Sequence, residues 1–179
     1  MTKQTATAAL IWSAVLGASA IFGSYFFACV FPFAAIATIA ALTLDLRRAA
    51  ILVGTVFAVN QIVGFGFRNY PFDVSTIAWG VVIGVAAFAS LFAARSVLRG
   101  RSDIVSPYAL VALLAAFVVN QGVMFAYALF TTGIENFSPT IVATVGLNDA
   151  AWFAGLGALR LLMTRALPAL FGTRTPIAS

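Results

Sequence analysis

Histidine is absent from the chain, cysteine occurs once, and charged residues make up only 8% of it. Lack of histidine removes the commonest metal ligand and general base, and with them most zinc and Ser-His-Asp chemistry. The lone Cys29 rules out an intrachain disulfide. No Gly-x-x-x-x-Gly-Lys-Ser/Thr loop is present, so the chain has no ATP motif of its own. The scarcity of charge also excludes an ordinary soluble domain, in which roughly a quarter of the residues are charged. What fills the gap is apolar: 63% of the 179 residues are hydrophobic. A soluble domain of this length cannot hide that much apolar surface, because surface falls too slowly relative to volume. The net charge of +5 sits on arginines beside the ends of apolar runs. That is a topology signal rather than a phosphate-binding face, and no nucleic-acid partner is expected.

Six apolar stretches are expected to span a membrane as helices, over 8–31, 32–45, 49–67, 74–94, 107–130 and 140–163, followed by a tail over 164–179. Most approach the ~20 residues needed to cross ~30 Å of hydrocarbon. The second is short and needs either flanking residues or a place deep inside the bundle. If six helices alternate, Lys3, Arg47, Arg48, Arg95, Arg99, Arg101, Arg165 and Arg174 share one side, which the positive-inside rule makes cytoplasmic, together with both termini. Lys3 and Ala18-Ser19-Ala20 resemble a cleavable signal peptide, but the apolar run continues past them to Phe31. The expected class is thus all-α, with three helical hairpins in one membrane domain. Pro32, Pro71 and Pro139 are expected to open descending helices, and Ser106-Pro107 and Ser138-Pro139 add a capping hydroxyl.

Within these runs the polar residues are few and repeat. Val59-Asn60-Gln61 recurs as Val119-Asn120-Gln121, and both amide pairs fall at similar heights on helices of like direction. Asn148 and Asp149 come down from the other side to meet them, with Trp79 and Trp152 within a turn or two. Side-chain amides inside hydrocarbon are costly unless satisfied. They serve either as glue between helices or as the lining of a solute pocket. Asp149 must be paired, protonated or facing water, and Arg68 is one possible partner. Arg68 is the single arginine expected outside. It either anchors at headgroups beside Asp73 or, with Asn69, guards a pocket mouth as a fixed positive charge. Trp12 and Tyr70 read as interface-belt residues. Cys29 is a remote candidate for a soft-metal ligand; no other metal ligand and no cofactor is expected.

Six helices, tight outer turns, a polar pocket and an Ala-rich first hairpin resemble the substrate-binding S component of an energy-coupling-factor vitamin transporter. Ala14-x-x-x-Ala18 is similar to the small-residue pattern by which such subunits dock. The resemblance implies uptake of a vitamin-like solute from the outer face of a bacterial cytoplasmic membrane. It also implies a transmembrane coupling subunit, two ATPases and a toppling motion that releases the solute. A cobalamin-transporting subgroup uses a cysteine near the pocket, for which Cys29 would be the residue here. Under this reading Asn60, Gln61, Arg68, Asn69, Trp79, Asn120, Gln121, Asn148, Asp149 and Trp152 contact the ligand, and Ala14 and Ala18 the partner. The competing readings are a non-catalytic assembly or scaffold subunit, a carrier acting alone, or a membrane enzyme on a lipid or quinone. The enzyme reading lacks histidine and paired acids.

Overall fold

The structure is a computed structural model that describes residues 3–26 and 31–171. Among them every regular element is helical: α1 (Lys3–Phe26), α2 (Phe33–Thr43), α3 (Leu46–Ile62), α4 (Val74–Leu98), α5 (Pro107–Ala128), α6 (Pro139–Ala166) and a last turn, α7 (Pro168–Phe171). A π-helical turn, Val63–Phe67, prolongs α3, and a 3-10 turn, Ile134–Phe137, precedes α6. Four helices are long and apolar enough to cross a membrane, namely Leu46–Phe67, Val74–Leu98, Pro107–Ala128 and Pro139–Ala166. By length and composition these make the chain a membrane protein.

The organising element is the shortest of the first six helices. α2 has 11 residues, so it rises only about 16 Å, half of what a hydrocarbon layer demands. Nine of those residues are buried, as expected for a helix that is apolar all round. Of the two ways to accommodate a short second stretch, the chain uses burial inside the bundle. Ala34, Ala35, Ala37 and Ala40 are fully enclosed, and α3, α4, α5 and α6 all pack on this helix. The facing helices also present small residues: Ala87 and Ala94 on α4, and Ala109, Ala112 and Ala116 on α5, are fully buried. Small side chains on both partners let backbones approach closely.

Each end of α2 meets a charged side chain from another helix. The backbone N–H of Ala35, in the first turn, donates to Asp149 Oδ1 at 2.9 Å. At the other end Arg95 Nη2 donates to the Leu44 carbonyl. A carboxylate at the N-terminus and a guanidinium at the C-terminus both complement the helix dipole and satisfy orphan backbone groups. Trp12 Nε1 donates to Thr43 Oγ1 at 2.9 Å, tying α1 to this same C-terminal end. Trp12 is fully buried, with Arg160 over its ring at 5.3 Å and over that of Phe171 at 5.0 Å. It is therefore a packing residue and not part of an exposed interface belt.

Helix starts follow the expected chemistry at some prolines only. Pro139 opens α6, where Ser138 Oγ accepts from the Ile141 N–H. Pro107 opens α5, but the Ser106 hydroxyl donates to the Asp103 carbonyl instead of capping. Pro32 occupies the N-cap of α2. Pro71 opens no helix: α4 begins at Val74, with Asp73 accepting from the Thr76 N–H at 2.8 Å. A carboxylate in the N-cap satisfies an orphan N–H that proline cannot reach, which places the helix start three residues later than the proline rule puts it.

Candidate functional site

Because α2 is so short, no helix of the described residues fills the centre of the bundle beyond its N-terminus. A cavity of about 800 Å³ occupies that space, within the range of small-molecule sites. Phe31 and Phe33, at the start of α2, line it beside residues of α3, α4, α5 and α6. Counting ~1.5 Å per residue, Asn60 and Asn120 both stand about 20 Å along α3 and α5 from the arginine-rich end. α2 rises to within a turn of that level. The face of α5 that carries Ala109, Ala112 and Ala116 continues at helical spacing to Asn120, and Met124 beyond it also lines the cavity. On α3 the buried Ala49, Val53 and Val56 lead in the same way to Asn60. Side chains turn from apolar to amide where the central helix ends.

Six of the ten proposed contacts line this cavity: Asn60, Gln61, Arg68, Trp79, Asn120 and Gln121. Their own partners differ. Asn120 Nδ2 donates to Ser90 Oγ at 3.2 Å, bridging α5 to α4. Gln61 Nε2 donates to Asn60 Oδ1 at 3.4 Å. Gln121 makes no hydrogen bond within the described residues, and Arg68 has no ion-pair partner among them. Trp79 stands edge-on to Tyr127, with ring centroids 4.8 Å apart.

The remaining four lie elsewhere. Asp149 is buried beneath the cavity as the cap of α2, so its partner is a backbone N–H and not Arg68. Trp152 is packed against the apolar core. Asn148 is half-buried one residue before Asp149 and does not line the cavity. Asn69 is exposed and takes a left-handed backbone, φ 54°. It ends the π-helical turn, a place asparagine tolerates well. Cys29 lies outside the described residues. Ala14 and Ala18 point away from the bundle, since α1 buries Ala8, Trp12, Leu16 and Ala20 on its other side.

Glycines shape the wall. A Cβ on Gly80 would stand 2.6 Å from Gln61 Oε1, and one on Gly84 would stand 2.9 Å from the Phe57 ring. Gly80 and Gly84 thus receive successive turns of α3 and hold Gln61 against α4. A Cβ on Gly64 would meet the Tyr70 ring at 2.8 Å, so the loop after the π-helical turn folds back onto α3. The Tyr70 N–H donates to the Gly64 carbonyl at 3.1 Å. Phe65 stacks on Phe72 at 4.8 Å and meets Tyr70 edge-on at 6.4 Å. Across the mouth, Gly133 adopts φ 107° directly over Trp79. Glu135, Asn136 and Phe137 complete the rim. Their part in it had no sequence signal, because a rim depends on how the loop folds.

A second cavity of about 260 Å³ lies at the arginine-rich end around Arg95, Arg101 and Ser102, away from the amides. No group of three or more potential metal-ligating side chains occurs among the described residues. Comparisons with protein-family models, with curated proteins and with solved structures find no match.

Proposed function

We propose that the chain is a membrane-embedded solute-binding subunit that captures a vitamin-like small molecule from the outer face. It would work as the S component of an energy-coupling-factor type transporter in a bacterial cytoplasmic membrane. The observation that carries this reading is the 800 Å³ cavity lined by five side-chain amides, Asn60, Gln61, Asn120, Gln121 and, at the rim, Asn136; Gln121 has no bonding partner among the described residues. Such amides orient a ligand's polar groups without the desolvation cost of a charge, which suits reversible capture and release. Arg68 and Glu135 stand at the rim, and Trp79 offers an aromatic wall.

In this reading six helices form three hairpins with both termini cytoplasmic, and α2 supports the pocket floor. The exposed face of α1 that holds Ala14 and Ala18 would dock a transmembrane coupling subunit, with ATPases supplying the energy. A non-catalytic assembly role is the second reading. It is favoured by Asn120 and Asp149, each of which bonds another helix.

Native mass spectrometry of the purified chain separates the two. A small molecule that co-purifies with the wild type and is lost in Asn60→Ala and Gln121→Ala, at unchanged melting temperature, supports capture. An empty wild-type protein that also takes up nothing from a cell extract supports the assembly role.

A further inference from the structure

The hydrogen-bond polarity of the pocket amides is set by groups behind them, and it selects a class of ligand. Ser90 has one hydroxyl proton, and its oxygen lies 2.8 Å from the Ala86 carbonyl and 3.1 Å from that of Ala116. Carbonyl oxygens cannot donate, so that proton is committed to the backbone and Ser90 Oγ faces Asn120 as an acceptor. Only the NH2 of Asn120 can satisfy it, at 3.2 Å. The Asn120 carbonyl oxygen must therefore turn the other way. The one enclosed side-chain polar atom lacking a partner among the described residues is Arg95 Nε. Asn120 Oδ1 accepts nothing from those residues and is thus open, not sealed, in a side chain that lines the cavity.

On α3 the polarity is reversed. Gln61 Oε1 is pressed against Gly80, so its NH2 is directed to Asn60 Oδ1. That engages one of the two lone pairs of the Asn60 oxygen and leaves its NH2 as a donor with no acceptor among the described residues. One wall of the pocket consequently offers an acceptor, Asn120, and the other a donor, Asn60, at nearly the same height.

We infer that the ligand is a heterocycle with a lactam or ureido edge, whose N–H donates to Asn120 and whose carbonyl accepts from Asn60. This rests on the solute-binding reading and narrows it. Ser90 is then a positioning residue for selectivity, although it never touches the ligand. A site built to pair with an N–H rejects the analogue lacking it, because a buried acceptor is left unpaired.

The test uses the full chain in detergent and isothermal titration calorimetry with three probes: quinazoline-2,4-dione, its N,N′-dimethyl derivative and naphthalene. The dione is expected to bind at least ~10-fold more tightly than the dimethyl compound, a difference of ~1.4 kcal/mol. Asn60→Asp, which keeps the shape but removes the donor, should weaken the dione by a similar factor. Ser90→Ala frees the Asn120 amide to rotate and should reduce the preference for the dione over its dimethyl derivative. If Ser90→Ala does not fold, the Asn60→Asp result decides. Equal binding of the dione and dimethyl probes, or tighter binding of naphthalene, overturns the lactam assignment. If that binding is still lost in Gln121→Ala, the solute-binding reading stands. No binding of any probe also overturns the lactam assignment, and the co-purification experiment then judges the broader reading by itself.

Discussion

Along α5, Ala109, Ala112 and Ala116 are fully enclosed where the helix packs on α2 and α4, whereas Asn120, one turn further on, borders an open cavity. The same helix face does two jobs, and the boundary between them is the N-terminus of α2. In the lower half small residues bring backbones together; in the upper half amides face a void. The contrast shows that a pocket in a helix bundle can be made by shortening one helix, provided something satisfies the end left inside. Here Asp149 does so.

The comparison can be broken at that cap. Asp149→Ala leaves the first turn of α2 unsatisfied in an apolar interior and is expected to cost ~3 kcal/mol, read as a lowered melting temperature in detergent. Asp149→Asn keeps an acceptor and should lose less. Next in size is Gly84→Ala, whose Cβ would meet the Phe57 ring at 2.9 Å. Overpacking there should cost ~1–3 kcal/mol in the same assay. Gly80→Ala meets only the flexible end of Gln61, so it should be milder in stability while altering the pocket wall. At the other end of α2, Arg95→Met removes the guanidinium from the Leu44 carbonyl and should cost about 1 kcal/mol. The smallest change belongs to the upper half. Gln121→Ala, which breaks no hydrogen bond among the described residues, should shift stability by no more than ~0.5 kcal/mol.

Much of the frame is readable from sequence, because hydropathy and length govern helices in hydrocarbon directly. The starts of α4, α5 and α6 fall within a residue or so of their expected positions. The two Val-Asn-Gln repeats come to one cavity because each is a similar number of residues along its helix. The role of Asp149 was not readable: a carboxylate capping a distant helix looks the same in sequence as one facing a solute. Asn69 was obscured for a related reason, since a left-handed turn and a ligand contact both favour asparagine. The Gly80 and Gly84 seats did leave a signal, small residues four apart on α4, but their effect depends on which turns of α3 lie opposite. Trp12 shows the limit of the belt rule, since its burial comes from α6, α7 and the end of α2, elements far along the chain.

The central claim is that water and solutes reach the amides but not the alanines below them. It is tested most directly by placing a single cysteine at either level of α5, as Gln121→Cys or Ala116→Cys in a Cys29→Ser background. Each is then exposed in right-side-out vesicles to a small membrane-impermeant thiol reagent. The account predicts rapid labelling at 121 and protection at 116. Protection at both positions, or equal labelling of the two, would contradict it.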